Sequence, residues 1–246
     1  MPYLIKSLFI ILLLAGCASP APMATAPVMV PTVISLPPTE AEPTATSTPG
    51  MPGVQVSIPV GESGETVNAT ITGNGDVGVI LGNTVGNDPL RWAPLVGTLA
   101  NNENLRIVTF AYRHEATDTS NVDTRAVFDY LRADSIEKII CIGAGYGSSA
   151  CGYLQNEPEI IGMVLMTVNN IPAIEAKFPK LFLTADADPI IPAGTTQLVY
   201  EQSAEPKIFK TYAAGMHGPA LFFKEDVGPQ VLADITDFVN GIVNGQ

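Results

Sequence analysis

The stretch Ile142-Gly143-Ala144-Gly145-Tyr146-Gly147-Ser148-Ser149-Ala150 decides the fold of this chain. Residues 139–142 form a short, continuously apolar run that leads into the turn, which is typical of a strand buried on both faces. The residues from about Gly147 onward predict a helix. The three glycines between them indicate a tight turn and a close approach of the helix to the strand, because glycine adopts positive φ without steric penalty. We therefore expect a buried strand, a sharp turn and a helix.

The same alternation of strand and helix patterns extends on both sides of this stretch. Strands are predicted at residues 54–60, 66–72, 77–81, 105–110, 138–142, 160–166, 180–184 and 207–212, the first two as an edge hairpin. Helices are predicted at residues 92–100, 122–131, from about 147, at 194–203 and from 229. The core face of the second helix is predicted to contain Val122, Ala126, Val127, Tyr130 and Leu131. Repeated strand–helix units imply a mostly parallel sheet with helices on both faces, whose ligand site lies beyond the carboxyl ends of the strands.

Two further motifs follow predicted strands. Asp188 lies in Ala185-Asp186-Ala187-Asp188-Pro189-Ile190-Ile191-Pro192, after the strand at 180–184. His217 lies in Gly215-Met216-His217-Gly218-Pro219, between the last strand and the last helix. Each residue also has a simpler interpretation, since an aspartate before proline often caps a turn and a loop histidine is often solvated. The second histidine, His114, follows a strand in a polar loop, and we assign it to solvent.

Together the three motifs resemble the α/β-hydrolase family, specifically lidless esterases of the dienelactone-hydrolase type. The glycine turn is similar to the nucleophile elbow G-x-S-x-G, with Gly143 and Gly147 at the two framing glycines. Asp188 and His217 match the catalytic acid and histidine, and the order elbow, acid, histidine is that of the family. The resemblance spans about residues 78–246. It implies a three-layer α/β fold with a mostly parallel sheet.

The nucleophile position departs from the family pattern, because Gly145 stands where the family has serine. The resemblance further implies an oxyanion hole built from the backbone N–H of Tyr146 and from the loop after the strand at 77–81. In that loop Asn83 stands at the usual histidine and Thr84 at the usual glycine. The candidate site therefore contains Asp188, His217 and position 145, with Thr84 and Tyr146 as oxyanion-hole candidates.

Three interpretations follow from the missing serine. We favour a pseudo-hydrolase that has lost catalysis and binds a small acyl or ester ligand, or a protein partner. In the second interpretation, a water molecule activated by His217 hydrolyses small esters slowly. In the third, Ser148, Ser149 or Cys151 replaces the serine, which is least favoured because helical Cβ directions there do not face the end of the strand.

The remaining sequence features bear on the cleft, the cysteines and cofactors. The interval 167–179 is too short for a large lid, so we expect an open, shallow cleft for small or extended ligands. Cys141 and Cys151 are expected to be buried, and a disulfide between them is left open. Asp186 and Asp188 are too few for a metal cage, and the glycine turn lacks the Lys-Ser/Thr ending of a phosphate loop, so no cofactor is predicted.

The first fifty residues have a different composition from the rest. Residues 1–17 combine Lys6, an apolar run at 8–14 and Leu14-Ala15-Gly16-Cys17, which resembles the lipobox of bacterial lipoproteins. The resemblance implies a signal peptide, lipid on the Cys17 sulfur and a membrane anchor. Residues 18–50 contain eight prolines and six threonines, which predicts a semi-extended tether before a hydrolase-like domain at 51–246. We expect a cell-envelope protein on the extracytoplasmic side of the membrane.

The charge balance excludes some partners. The chain has 12 Lys and Arg against 24 Asp and Glu, a formal net charge of −12. Nucleic-acid binding and electrostatic attachment to anionic lipid both need clustered positive charge, so neither is expected. The ligand and the oligomeric state are left open by the sequence.

Overall fold

The computed structural model describes residues 51–85, 87–114, 116–169 and 171–245. The predicted signal peptide (1–17), the lipidation site Cys17 and the predicted tether (18–50) lie outside the described residues, so they stay predictions. No helix in the described part of the chain is long and apolar enough to cross a membrane.

Within these residues, eight strands form one sheet. They are β1 (Val54–Pro59), β2 (Thr66–Thr72), β3 (Val77–Gly82), β4 (Leu105–Phe110), β5 (Lys138–Ala144), β6 (Ile160–Met166), β7 (Lys180–Ala185) and β8 (Lys207–Tyr212). Their order across the sheet is β1-β2-β4-β3-β5-β6-β7-β8. Strand β2 runs antiparallel to β1 and to β4, and every other neighbouring pair is parallel. The predicted edge hairpin and mostly parallel sheet are confirmed.

Helices cover both faces of this sheet. They are α1 (Ala93–Leu99), α2 (Ala116–Ala133), α3 (Tyr146–Tyr153), α4 (Ala193–Gln202) and α5 (Gly228–Val243), with 3₁₀ turns at Pro89–Trp92 and Gly218–Phe223. One core cluster joins α1 and α5 to one face of the sheet, and a second joins α2, α3 and α4 to the other. Consecutive residues of β3 alternate between the two clusters, since a strand directs successive side chains to opposite faces. The predicted three-layer α/β architecture is therefore confirmed.

Helix α2 differs from its sequence prediction in length and in its buried face. It begins at Ala116, and Val122 is 50% exposed instead of lying in the core. A helix turns 100° per residue, so Val122 lies about 140° and 180° around the axis from the buried Val127 and Leu131. The buried face includes Asp123, whose carboxylate accepts from the backbone N–H of Arg113 at 2.8 Å and from its Nε at 2.6 Å.

A disulfide joins the fifth strand to the third helix. Cys141 of β5 and Cys151 of α3 are fully buried and bonded, with their Cα atoms 5.6 Å apart. The sequence left this pairing open, and the structure forms it. The bridge spans the glycine turn between the two elements and ties α3 to the strand beneath it.

Candidate active site

The glycine turn has the sharp geometry that the sequence predicts. Strand β5 ends at Ala144, α3 begins at Tyr146, and Gly145 between them has φ 55° and ψ −113°. This positive φ favours glycine. The Gly145 N–H donates to the Met166 carbonyl at 3.1 Å, and its own carbonyl accepts from the Ser149 N–H at 3.2 Å. The turn is thus fixed by backbone hydrogen bonds on both sides.

The framing glycines let helix α3 approach the sheet closely. A Cβ on Gly143 would lie 2.2 Å from the carbonyl carbon of Gly147, and a Cβ on Gly147 would lie 2.1 Å from the carbonyl oxygen of Gly82. No side chain fits at either position without moving backbone. The first turn of α3 therefore stands directly over the carboxyl ends of β3 and β5.

Asp188 and His217 are brought together from the loops that follow β7 and β8. The His217 Nδ1 lies 2.9 Å from Asp188 Oδ2, and the Asp188 side chain is fully buried. Asp188 Oδ1 also accepts from the backbone N–H groups of Ile190 at 2.8 Å and Ile191 at 2.9 Å. Asp188 therefore caps its own turn and also holds the histidine, and its role as a catalytic acid stays a prediction.

The Asp188 contact assigns the roles of the two ring nitrogens. An ionised carboxylate can only accept hydrogen bonds, so Nδ1 of His217 donates to it. In the neutral ring Nε2 then carries the free lone pair and acts as an acceptor. The His217 side chain is 8% exposed, so this nitrogen faces the protein more than the solvent.

Nε2 of His217 lies within hydrogen-bond distance of a side-chain hydroxyl that the sequence alone does not place there. Thr84 Oγ1 lies 2.9 Å from it, on the loop that follows β3. The sequence predicts a role for the backbone N–H of Thr84 and none for its side chain. A Cβ built on Gly145 would lie 3.0 Å from Thr84 Oγ1 and 3.3 Å from His217 Nε2, so the three groups converge at the apex of the turn. One feature of the sequence indicates this contact: position 84 is threonine, where the α/β-hydrolase family usually has glycine.

Asn83 fixes the loop that carries Thr84. Its side-chain oxygen accepts from the buried indole N–H of Trp92 at 2.8 Å. Its carbonyl accepts from the Tyr112 hydroxyl at 3.0 Å and from the Gly147 N–H at 2.9 Å. Burial raises the pKa of Tyr112 well above its ordinary value, so its hydroxyl stays a donor. The position of Thr84 relative to α3 is thereby set by buried hydrogen bonds.

The two backbone N–H groups of the predicted oxyanion hole have no backbone acceptor in the described part of the chain. Tyr146 occupies the first position of α3, and neither its N–H nor that of Thr84 donates to a described backbone carbonyl. The first N–H groups of a helix have no acceptor within it. The oxyanion hole that the family resemblance implies stays a prediction.

The other candidate nucleophiles do not reach the site. Ser148 is fully buried, with its Oγ 2.7 Å from the Gly143 carbonyl and 2.8 Å from the Met166 carbonyl. Cys151 is held in the disulfide. Ser149 is half-buried and lines a small cleft of about 120 Å³ beside Tyr153. His114 has a 60% exposed side chain, as expected for a solvated loop histidine.

No lid covers the carboxyl ends of the strands in the described part of the chain. The described residues between β6 and β7 contain neither helix nor strand, as predicted from the short interval. A groove of about 950 Å³ runs along α5 and the loop before β4, and neither Thr84 nor His217 lines it. Residues 51–85, 87–114, 116–169 and 171–245 contain no cluster of three His, Cys, Asp or Glu suited to a metal.

Solved structures of esterases and lipases share this architecture. An esterase of Pyrococcus furiosus matches 81% of this chain and 97% of its own, with TM-score 0.62 and 15% identity. An esterase of Thermogutta terrifontis matches 76% and 98%, with TM-score 0.61 and 12% identity. A monoacylglycerol lipase of Paleococcus ferrophilus matches 72% and 99%, with TM-score 0.61 and 13% identity.

By sequence alone, no family model and no curated protein matches the chain. The structural likeness at this low identity defines the fold and leaves the activity open. The chain has the α/β-hydrolase fold, and its hydrogen-bonded His217 and Asp188 lie on the loops that follow the last two strands of the sheet.

Proposed function

We propose that this protein is a hydrolase of small carboxylic esters that works without a serine at the elbow. One observation carries the proposal: His217, held by Asp188, directs Nε2 at a hydroxyl beside the elbow apex, 2.9 Å away. A general base must lie within hydrogen-bond reach of the proton that it removes, and this geometry satisfies that requirement. The fold shared with esterases and a lipase adds support.

In this proposal each polar group of the site has a role. His217 takes a proton from the attacking hydroxyl group, whether of water or of a side chain. Asp188 orients the ring and stabilises the imidazolium that forms. The N–H groups of Tyr146 and Thr84 bind the oxyanion of the tetrahedral intermediate.

A second candidate function is binding without turnover. It is favoured by the glycine at position 145, which removes the nucleophile that the fold normally places there. A pseudo-hydrolase of this kind would hold a small acyl or ester ligand, or a protein partner, at the same surface. It predicts saturable binding of an ester and no release of product.

We further propose that the protein is anchored in the cell envelope by lipid on Cys17. The lipobox-like sequence supports this location. The Cys141–Cys151 disulfide supports it as well, since disulfides persist mainly in oxidising compartments. Incorporation of labelled palmitate into the wild-type chain, and its loss in Cys17→Ser, is the expected result. Equal labelling of both proteins would contradict the anchor.

The catalytic proposal is tested with the full-length chain and p-nitrophenyl esters. His217→Ala should lower kcat/KM by about 10²- to 10⁴-fold, the usual range for loss of a general base. Replacement of the exposed histidine, His114→Ala, is the matched control and should leave turnover unchanged. Wild-type turnover no faster than that of His217→Ala, together with saturable ester binding, would support the binding candidate instead.

A further inference from the structure

We infer that the hydroxyl of Thr84 is the nucleophile of this site and acts in place of the missing elbow serine. The inference rests on the proposed esterase function and names the group that attacks the substrate. The resembling family has serine at the elbow and glycine in the facing loop. This chain has Gly145 at the elbow and Thr84 in the loop, so the hydroxyl has moved to the opposite side of the same site.

The distances place this hydroxyl where an elbow side chain would act. Thr84 Oγ1 is 2.9 Å from His217 Nε2 and 3.0 Å from the position of a Cβ on Gly145. The Thr84 residue is half-buried. Of the described residues, Thr84 is the one whose hydroxyl hydrogen-bonds His217.

The donor and acceptor roles of the two His217 ring nitrogens determine that the Thr84 hydroxyl donates its proton to the histidine. Nδ1 of His217 donates to Asp188, so Nε2 accepts. The Thr84 hydroxyl must then donate in this contact. The Ser148 hydroxyl, by contrast, does not face His217, because it hydrogen-bonds main-chain carbonyls in the core.

The threonine side chain itself limits the directions that its hydroxyl can take. A β-branched side chain is stiff at χ1, so Thr84 has few rotamers other than the one that places Oγ1 2.9 Å from His217 Nε2.

The reaction balances with the groups present and one water. Thr84 Oγ1 attacks the acyl carbon of the ester, and its proton passes to His217 Nε2. The tetrahedral intermediate collapses, the bond to the alcohol oxygen breaks, and His217 returns the proton to the departing alcohol. Water then attacks the acyl-threonine through His217 in the same way. The carboxylic acid is released, and Thr84 recovers its proton.

Exposed apolar side chains lie on the segments that carry these groups: Val85 follows Thr84, Leu90 lies in the 3₁₀ turn before α1, Ile190 lies two residues after Asp188, and Phe223 ends the 3₁₀ turn that follows His217. Exposed apolar side chains on these segments favour a carboxylic ester with an apolar portion as the substrate class, for which p-nitrophenyl butyrate is the probe.

The test compares Thr84→Val, which removes the hydroxyl and keeps the shape, with Thr84→Ser, which keeps the hydroxyl. With the full-length chain and p-nitrophenyl butyrate, Thr84→Val should lose about 100-fold or more in kcat/KM and Thr84→Ser about tenfold or less. A fluorophosphonate should label the wild-type chain on the peptide that contains Thr84. Thr98→Val, at a half-buried threonine of α1, is the control and should keep full activity. Urea unfolding of each variant verifies that it is folded.

The outcomes separate this inference from the proposed function. Full turnover by Thr84→Val with an inactive His217→Ala would overturn the nucleophile and leave the esterase proposal standing, with water as the attacking group. Labelling of Thr84 in a chain that turns over no ester would support the nucleophile and overturn the esterase proposal. Loss of activity in Thr84→Val together with labelling of Thr84 supports both.

Discussion

The hydroxyl of Thr84 and the α-carbon of Gly145 face each other across the carboxyl ends of β3 and β5. A Cβ on Gly145 would lie 3.0 Å from Thr84 Oγ1, a separation tighter than most side-chain contacts. A side chain at the elbow and the hydroxyl of Thr84 therefore compete for one space beside His217. The glycine makes room for the threonine.

Restoring the elbow serine alone should give little activity. In Gly145→Ser the new side chain meets Thr84 and His217, and φ of 55° costs a non-glycine residue about 1–3 kcal/mol. Adding Thr84→Gly removes the competing hydroxyl and reproduces the arrangement of the resembling family. We expect the double variant to exceed Gly145→Ser by at least about tenfold in kcat/KM on p-nitrophenyl butyrate.

Gly145→Ala with Thr84→Gly is the control for this exchange. This variant keeps the space of the double variant but has no hydroxyl at position 145, so its kcat/KM should not rise above that of Gly145→Ser. If Gly145→Ser alone matched the double variant, the two hydroxyls would not compete and the reciprocal exchange would be wrong.

Asn83→Ala should destabilise the fold and disturb the site together. The substitution leaves the buried indole N–H of Trp92 without its acceptor, and an unsatisfied buried donor costs about 1–3 kcal/mol. Urea unfolding should show this loss, and kcat/KM should fall because Thr84 is no longer held. Replacement of the exposed Asn156 by alanine should change stability by less than about 0.5 kcal/mol. Equal effects of the two substitutions would contradict the role of Asn83.

Reduction of the disulfide should weaken the domain. Cys141 and Cys151 are 10 residues apart, and the chain-entropy model gives a loop of that length about 2–3 kcal/mol. A reducing agent should therefore lower the urea midpoint of the wild-type chain. The double variant Cys141→Ala and Cys151→Ala should unfold near the reduced midpoint and be insensitive to the reductant. If reductant left the urea midpoint of the wild-type chain unchanged, a stabilising role of the disulfide would be contradicted.

Much of the fold is predictable from sequence because the strands are fully buried or regularly alternating. The bounds of β4, β6 and β8 match the predicted runs to the residue, and each run is preceded by a polar residue or proline: Asn104, Glu159 and Pro206. The sequence does not predict the first turns of α2, because residues 116–121 contain no apolar residues at helical spacing. Burial of Asp123 depends on Arg113, which is a tertiary partner that periodicity does not reveal.

Part of the site was also predictable, because its residues directly follow strands that the sequence reveals. Asp188, His217 and Gly145 follow strands in a recognisable order, and the structure brings all three regions together. The threonine at position 84 was visible in the sequence, but its contact with His217 was not, since this contact joins residues 133 positions apart and depends on how one loop is held. The hydrogen bonds of Asn83 that hold this loop also depend on tertiary structure, since they join it to Trp92 and Tyr112.

Lys180 should make the stability of the fold depend on alkaline pH. It is fully buried at the start of β7, its Nζ donates to the carbonyls of Ala176 at 2.7 Å and Phe178 at 2.8 Å, and burial lowers its pKa from 10.5 to about 8. Between these values the unfolded chain binds more protons than the native one, so the contribution of Lys180 to stability rises with pH.

The comparison with Lys180→Met isolates this effect. The free energy of unfolding of the wild-type chain, minus that of the variant, should increase from pH 8 to pH 10.5. Tyr212, whose pKa burial raises, is present in both proteins and cancels in the difference. A difference that is flat over this range, or that falls, would contradict the lowered pKa.

Acylation of Thr84 tests the central claim most directly. The full-length chain is mixed with p-nitrophenyl acetate, quenched in acid within the first turnover and mapped by peptide mass spectrometry. We predict a burst of p-nitrophenolate equal to the enzyme concentration and one acetyl group on Thr84, both absent in Thr84→Val and His217→Ala. Steady release of p-nitrophenolate that depends on His217, with no burst and no acetyl group on Thr84, would contradict the claim.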